Sequence, residues 1–319
     1  MNGGQAARMA KSKPPLVEAS EPLAASKPLE SATISAAAAP RHRVFLALWY
    51  ALNFVLVCAV LAAAYCVGWE YSTRRYLKGF SDAIIPFTAP PAQKAAAILN
   101  WMSQGPGRQV SDTNAPLVDR DPTDTLNYAS LLRVCGTATN AFINLADSAG
   151  LAARRLLLLD SNRNTVHVVA EVLIDGRWII VDPAFRTIPR GVDGGLLTAQ
   201  DLANPQVLAA ATSHIAEYDP SYTYNLTAHV RLSRIRYIGA PLRAVLDRLL
   251  PGWEDSTTAS LLLERKSMAD MVIALAILFL LLLVRMAFRW YGERRMGLRA
   301  MRIRSQVKRA VLAFLDTAS

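Results

Sequence analysis

The sequence predicts an α+β domain carried between two membrane-spanning helices. Two apolar runs, Val44 to Gly68 and Met271 to Val284, stand towards opposite ends of the chain. A helical pattern of about four turns follows Cys135. Two β-branched, apolar runs, Thr165 to Ile174 and Arg177 to Val181, flank Asp175-Gly176. Asp-Gly between two such runs is a strong two-residue hairpin signal, so the pair reads as antiparallel strands.

Taken in order, residues Met1 to Pro40 are rich in Ala, Ser, Pro and Lys and almost lack aromatic and β-branched side chains. Such a stretch cannot bury enough apolar surface to offset chain entropy, which makes 1–43 a disordered tail. It is too long and too polar for the charged start of an ordinary signal peptide, which leaves a cleaved signal as the lesser alternative. Val44 to Gly68 is a run of 25 residues without a charge, long enough to cross a bilayer. Trp49, Tyr50, Tyr65 and Trp69 sit towards its ends, as interfacial aromatics do.

The outward segment, 70–267, has its core at about 91–188. Pro90-Pro91 opens a helix that continues to Trp101 and Met102, and Gly105-Pro106-Gly107 ends it. Asn114 to Thr125 reads as loop, and Thr125 to Val134 leads into the helix that starts at Cys135. After the hairpin, Arg190 to Gly195 is a Gly-rich loop, and Thr198 with Asp201 suits the start of one short helix to Ser213. Tyr218 to Tyr224 holds three tyrosines in seven residues, suited to core packing or to lining a groove. Arg231 to Leu250 alternates basic and apolar residues and then turns helical, returning the chain to the membrane.

The second span, 269–288, is built on 14 purely apolar residues, Met271 to Val284. Arg285 extends it by snorkelling, and Trp290 and Tyr291 supply an interfacial belt. In the tail, 289–319, Met296, Ala300, Ile303, Val307, Val311 and Phe314 recur at helical spacing between arginines. That pattern suggests a basic amphipathic helix lying on an anionic lipid surface, although a solvated or a partner-binding helix has the same periodicity.

The net charge of +10 would also suit nucleic acid. The excess is concentrated in the C-terminal tail beside an apolar segment, so lipid is the nearer partner and nucleic acid is excluded. Arg265 and Lys266 precede the second span, whereas Arg285, Arg289, Arg294, Arg295, Arg299, Arg302, Arg304, Lys308 and Arg309 follow it. By the positive-inside rule the tail is cytoplasmic. With two spans the N-terminus is cytoplasmic too and 70–267 is extracytoplasmic, or periplasmic.

Of three cysteines, Cys58 and Cys66 fall in the first span, leaving Cys135 as the one thiol of the outward domain. No disulfide can then form within that domain. A helix start lowers a thiol pKa, because its unbonded N–H groups and the helix dipole favour the thiolate. If Ile174 faces Arg177 in the hairpin, Val169 faces Asp182, and His167 lies two residues along the same face. His167 and Asp182 are then diagonal neighbours, roughly 7–8 Å apart at the backbone. An aspartate so placed holds the imidazole in one tautomer while its other nitrogen faces a thiol. His214 and His229 have no ligand spacing to His167, so neither a metal nor another cofactor is expected.

These residues resemble the transglutaminase-like superfamily, whose papain-like core has a Cys at a helix start, a His beginning one strand and an Asp ending the next. The matching pieces are Cys135-Gly136, the helix ending at Ala149-Gly150-Leu151-Ala152-Ala153-Arg154, the strand His167 to Glu171, and Gly176-Arg177-Trp178 leading to Val181-Asp182-Pro183. Many relatives have Ala-Trp after the histidine; this chain has Val168-Val169. The resemblance implies a catalytic helix packed on an antiparallel sheet, with Cys135, His167 and Asp182 as catalytic residues. It implies attack on an amide or ester of a protein, peptide or envelope substrate, by hydrolysis or acyl transfer. A different class of function retains the fold as a non-catalytic binding module in envelope assembly or surface-polymer export, with envelope-complex partners.

Overall fold

The computed structural model describes residues 38–105, 121–127, 131, 134–216, 218–231 and 239–296. The expected N-terminal tail before residue 38, part of the loop after Asn114, and the amphipathic helix beyond 296 lie outside the described residues. The chain divides into two units, Met1–Ala47 and Leu48–Ser319. In the first, the described residues are the opening turns of a long helix. The rest of the molecule belongs to the second.

Helix α1, Ala38–Ile84, continues well beyond the apolar run. Its later turns hold no proline, and Glu70, Thr73, Leu77 and Ser81 recur at helical spacing and are all buried. The helix stops where Ile85-Pro86 denies the next turn its geometry. Helix α9, Lys266–Arg295, is the second long apolar helix. Both are long and apolar enough to cross a membrane, and they flank the α+β core.

Two side chains of these helices differ from expectation. Arg285 does not snorkel away from the helices: its Nε donates to Asn53 Oδ1 at 2.9 Å, and its guanidinium lies 4.9 Å from the centre of the Trp49 ring. Trp49 is accordingly buried rather than presented at an interface. An amide oxygen and an aromatic face both suit a guanidinium on an otherwise apolar helix. Tyr50 and Tyr65 are exposed.

Between these helices, α2 (Pro91–Ser103) starts with proline at its first position, where a missing N–H is harmless. The short helix α3 (Pro122–Thr125) is capped by the Asp121 carboxylate, which accepts from Thr123 N at 2.9 Å. Helix α4 (Cys135–Ser148) ends at Gly150, whose φ of +75° suits glycine at a helix terminus. Strands β1 (Ala153–Leu159), β2 (Thr165–Ile174), β3 (Arg177–Val181) and β4 (Thr227–Ala228) form one sheet in the order β3-β2-β1-β4, antiparallel throughout. In the β2–β3 hairpin Ile174 pairs with Arg177 and Ala170 with Val181. Asp175 and Gly176 both have positive φ, the conformation a two-residue turn of this twist requires.

The sheet has a core on each face. Helices α2 and α4 cover one, packing Ile98, Met102, Phe142 and Leu145 against Ala170, Val172, Ile179 and Val181. On the other, Leu156, Leu158, Val169 and Ile180 meet Leu197, Leu202, Tyr222 and Tyr224. The segment expected as one helix to Ser213 is two, α5 (Ala199–Leu202) and α6 (Pro205–Thr212). Thr198 and Asp201 cap the first reciprocally; the Asn204 side chain caps the second from Gln206 N, and Pro205 cannot continue the preceding turn.

Helices α7 (Gly239–Leu249) and α8 (Thr257–Glu264) return the chain to α9. At the α8–α9 junction Glu264 and Arg265 are buried. Arg265 donates to Asn144 Oδ1 and Asp147 Oδ2, both at 2.8 Å, and reaches Glu70 Oε1 at 3.4 Å. Glu264 accepts from Arg155 Nη1 at 2.6 Å, and its backbone oxygen accepts from the Asn140 and Asn144 amides. Ser267 donates to Glu70 Oε2 at 2.7 Å. Helix α4 is therefore tied by charge-assisted bonds to Arg265 at the start of α9 and, through it, to Glu70 of α1.

Candidate active site

The hairpin decides where the site lies. His167 is the third residue of β2, and Asp182 follows the last residue of β3. In an antiparallel pair those positions share one end of the sheet. Continuing the observed register by one step places Asp182 opposite Val169, on the face of His167. The side chains meet there: His167 Nε2 and Asp182 Oδ2 are 2.8 Å apart, and both residues are almost completely buried. The second carboxylate oxygen, Oδ1, accepts from Ala184 N at 3.1 Å and Phe185 N at 3.3 Å. Asp182 thus caps its own turn, which fixes the oxygen facing the ring.

Cys135 is the first residue of α4, half-buried, with Val134 in extended conformation before it. The first backbone groups bonded within the helix are Thr137 N and Ala138 N, both to Val134 O. The N–H groups of Cys135 and Gly136 stand before that ladder and are directed out of the helix start. One turn on, Thr139 Oγ1 donates to Val168 O at 3.0 Å, pinning the start of α4 to the residue beside His167. With Nε2 taken by Asp182, Nδ1 is buried without a regular hydrogen bond among the described residues. The Cys135 thiol is nevertheless close enough to bear on the ring's protonation.

Burial is the largest influence on His167 and pushes its pKa down. The Asp182 charge and hydrogen bond, with smaller contributions of the same kinds from Cys135, more than offset it and hold the pKa at about 9. The ring is thus an imidazolium at neutral pH. It is also enclosed. Tyr222 stacks flat on it, centroids 4.3 Å apart with 7° between planes, and Phe185 lies 5.7 Å away. Tyr218 meets Tyr222 edge-on and touches Phe185. An aromatic face against a cation is favourable, and three rings exclude the water that would weaken the ion pair.

Sequence reasoning left the tyrosines open between core and groove. Two of them pack around the histidine, and all three also line a cavity of about 390 Å³ beneath α6. The roles of Thr139 and Tyr222 were missed. A polar residue four positions after Cys135, on the same helix face, was a usable signal for Thr139; nothing local marked Tyr222. The other histidines stay apart from this group. His229 lies between Glu171 and Asp255, 2.8 Å from each, and His214 lines a separate cleft. Among the described residues, no three His, Cys, Asp or Glu side chains cluster to hold a metal ion.

The model of the transglutaminase-like superfamily matches residues 78–183, a stretch containing α2, α4, the hairpin and all three residues of the site. No curated protein and no solved structure matches the chain.

Because Asp182 keeps His167 protonated against the opposing effect of burial, the aspartate's charge should be visible in the histidine's titration. In ¹⁵N NMR of the histidine-labelled protein, the His167 midpoint should lie near 9 and fall below 6.5 in Asp182→Asn. Linkage runs the same way: the folded-state pKa is raised, so the pair's contribution to stability is complete below about 6.5 and is lost as pH rises through about 9. A midpoint unchanged by Asp182→Asn would remove the aspartate from the site's electrostatics.

Proposed function

On the premise that residues 78–183 form a transglutaminase-like superfamily domain, we propose that this chain is a membrane-anchored thiol acyltransferase or hydrolase acting through Cys135, His167 and Asp182. The observation that carries this reading is the buried His167–Asp182 pair with the Cys135 thiol bearing on the same ring. An imidazolium beside a thiol at a helix start favours the thiolate–imidazolium state, the reactive form of such a pair.

The Cys135 thiolate attacks an amide or ester carbonyl, forming the S–C bond and placing negative charge on the carbonyl oxygen. The Cys135 backbone N–H, at the helix start, is the donor this reading assigns to that oxygen. Collapse expels the amine or alcohol, which takes its proton from His167 and leaves a thioester on Cys135. The now neutral imidazole accepts a proton from water or from an incoming amine as that nucleophile attacks the thioester. Hydrolysis or transfer results, and the thiolate and imidazolium are restored. Asp182 holds the ring by Nε2 throughout, which leaves Nδ1 for these proton transfers.

An activated ester gives the direct test. Mixed with the full-length protein in detergent, p-nitrophenyl acetate should release close to one equivalent of nitrophenol in a burst, with the acetyl group found on Cys135 by mass spectrometry. Cys135→Ser and His167→Ala should lose the burst by at least two orders of magnitude. Adding a primary amine then separates transfer from hydrolysis by product. Acetylation elsewhere, or a burst that survives Cys135→Ser, contradicts the reading.

We also place this domain outside the cytoplasmic membrane, with α1 and α9 as its two spans and both termini cytoplasmic. The support is the excess of basic residues after the second apolar run, which also suits the tail to an anionic leaflet. A reporter fused after Ser319 should be active in the cytoplasm alone, and one inserted at Gly194 outside alone. The reverse pattern would make Cys135 a cytosolic thiol.

A further inference from the structure

The turn that holds Asp182 also builds one wall of a second cleft, of about 600 Å³, open to solvent between α2 and α6. Asp182 and Thr187 bridge back to back, so the chain leaves the site in a tight loop and enters the cleft within four residues. Arg186, Arg190 and His214 line it with Asn100, Ser103 and Thr187, and among the described residues no acidic one does. Arg190 Nη1 is steadied by Gly194 O at 2.9 Å, which leaves the rest of its guanidinium for a ligand. Among the described residues, neither Arg186 nor His214 is in an ion pair. The backbone of Arg186 has φ +56°, a left-handed conformation uncommon for a long side chain. It is an outlier of the kind that occurs where the surroundings require one direction of a side chain.

We propose that this cleft binds an acidic segment of a peptide substrate, with Arg186 and Arg190 pairing its carboxylates. The inference rests on the thiol acyl-transfer reading for the identity of the bond attacked, and on the cleft alone for the binding. Guanidinium forks match carboxylates two bonds at a time, and a ligand carboxylate would complete cations that have no acid of their own among the described residues. The cleft's volume is that of a ligand site, and its openness suits a chain passing through. His167 and Asp182 lie at the end of the sheet from which the Arg186 loop leaves. A peptide anchored by its acidic side chains can therefore present a neighbouring carbonyl at that end.

The test is fluorescence anisotropy of a labelled octaglutamate peptide with the full-length protein in neutral detergent. Octaglutamate should bind, and octalysine should not. Arg186→Asn with Arg190→Gln should weaken binding by about tenfold or more, since each removes a charge-assisted bond. Asparagine is chosen at 186 because it tolerates left-handed backbone. The double lysine replacement keeps both charges but not the forks, so it should weaken binding less than Arg186→Asn with Arg190→Gln does and controls for folding. Cys135→Ala should bind as the wild type does, so a failure of the thiol chemistry is distinguishable from a failure of the cleft. Absence of octaglutamate binding, equal binding by Arg186→Asn/Arg190→Gln, or tighter binding of an oligogalacturonate would each overturn the proposal.

Discussion

A histidine and an aspartate buried together cannot tolerate error. Either charge alone in that interior would be costly, and the pair is favourable only at hydrogen-bond distance with the remaining carboxylate oxygen satisfied. Much of the site's architecture meets that requirement. The Asp175-Gly176 turn fixes the register that puts both side chains on one face, since a slip of one residue would turn Asp182 to the opposite core. The turn after β3 supplies two amides to Asp182 Oδ1, and Tyr222 and Phe185 close the ring from water. The helix that carries Cys135 is then registered against β2 by Thr139.

A second buried set of charges fixes that helix from its other side. Asn140, Asn144 and Asp147 recur along one face of α4, and all three bind the Glu264-Arg265 dipeptide. Arg265 in turn reaches Glu70 on α1. Cys135 is thus held from two directions, by β2 near its own turn and by the α8–α9 junction further along. Replacing one member of such a network leaves its partners charged and unpaired in the interior, so Glu70 of α1 and Arg265 before α9 are part of what orients the start of α4.

Residues whose partners are close in sequence were the legible ones. The hairpin, its register and the pairing of His167 with Asp182 follow from one Asp-Gly turn and the period of a strand. The start of α4 at Cys135 follows from the helical pattern after it. The break between α5 and α6 was also marked, by Asn204-Pro205, although Thr198 and Asp201 drew attention to the first cap alone. Tyr222 is 55 positions after His167, and no periodicity links a loop aromatic to the ring it covers. Glu70 and Arg265 are further apart still, and each reads locally as an ordinary charge beside an apolar run. The continuation of α1 past Gly68 was hidden because its buried face there includes Glu70, Thr73 and Ser81 rather than an apolar stripe. The pairing of Arg285 with Asn53 likewise depends on two helices meeting, which neither segment states alone.

The central claim is that Asp182, acting through His167, makes Cys135 a thiolate at neutral pH. The most direct measurement is the rate of Cys135 alkylation by iodoacetamide from pH 4 to 10, in the wild type and in Asp182→Asn. The wild type should react through a titration well below the value of about 8.5 of an ordinary thiol, with a second inflection near 9 as His167 loses its proton. Asp182→Asn should move the first step up towards 8.5 and abolish the second. A single step near 8.5 in both proteins would contradict the account, leaving Cys135 an ordinary thiol beside a histidine that does not activate it.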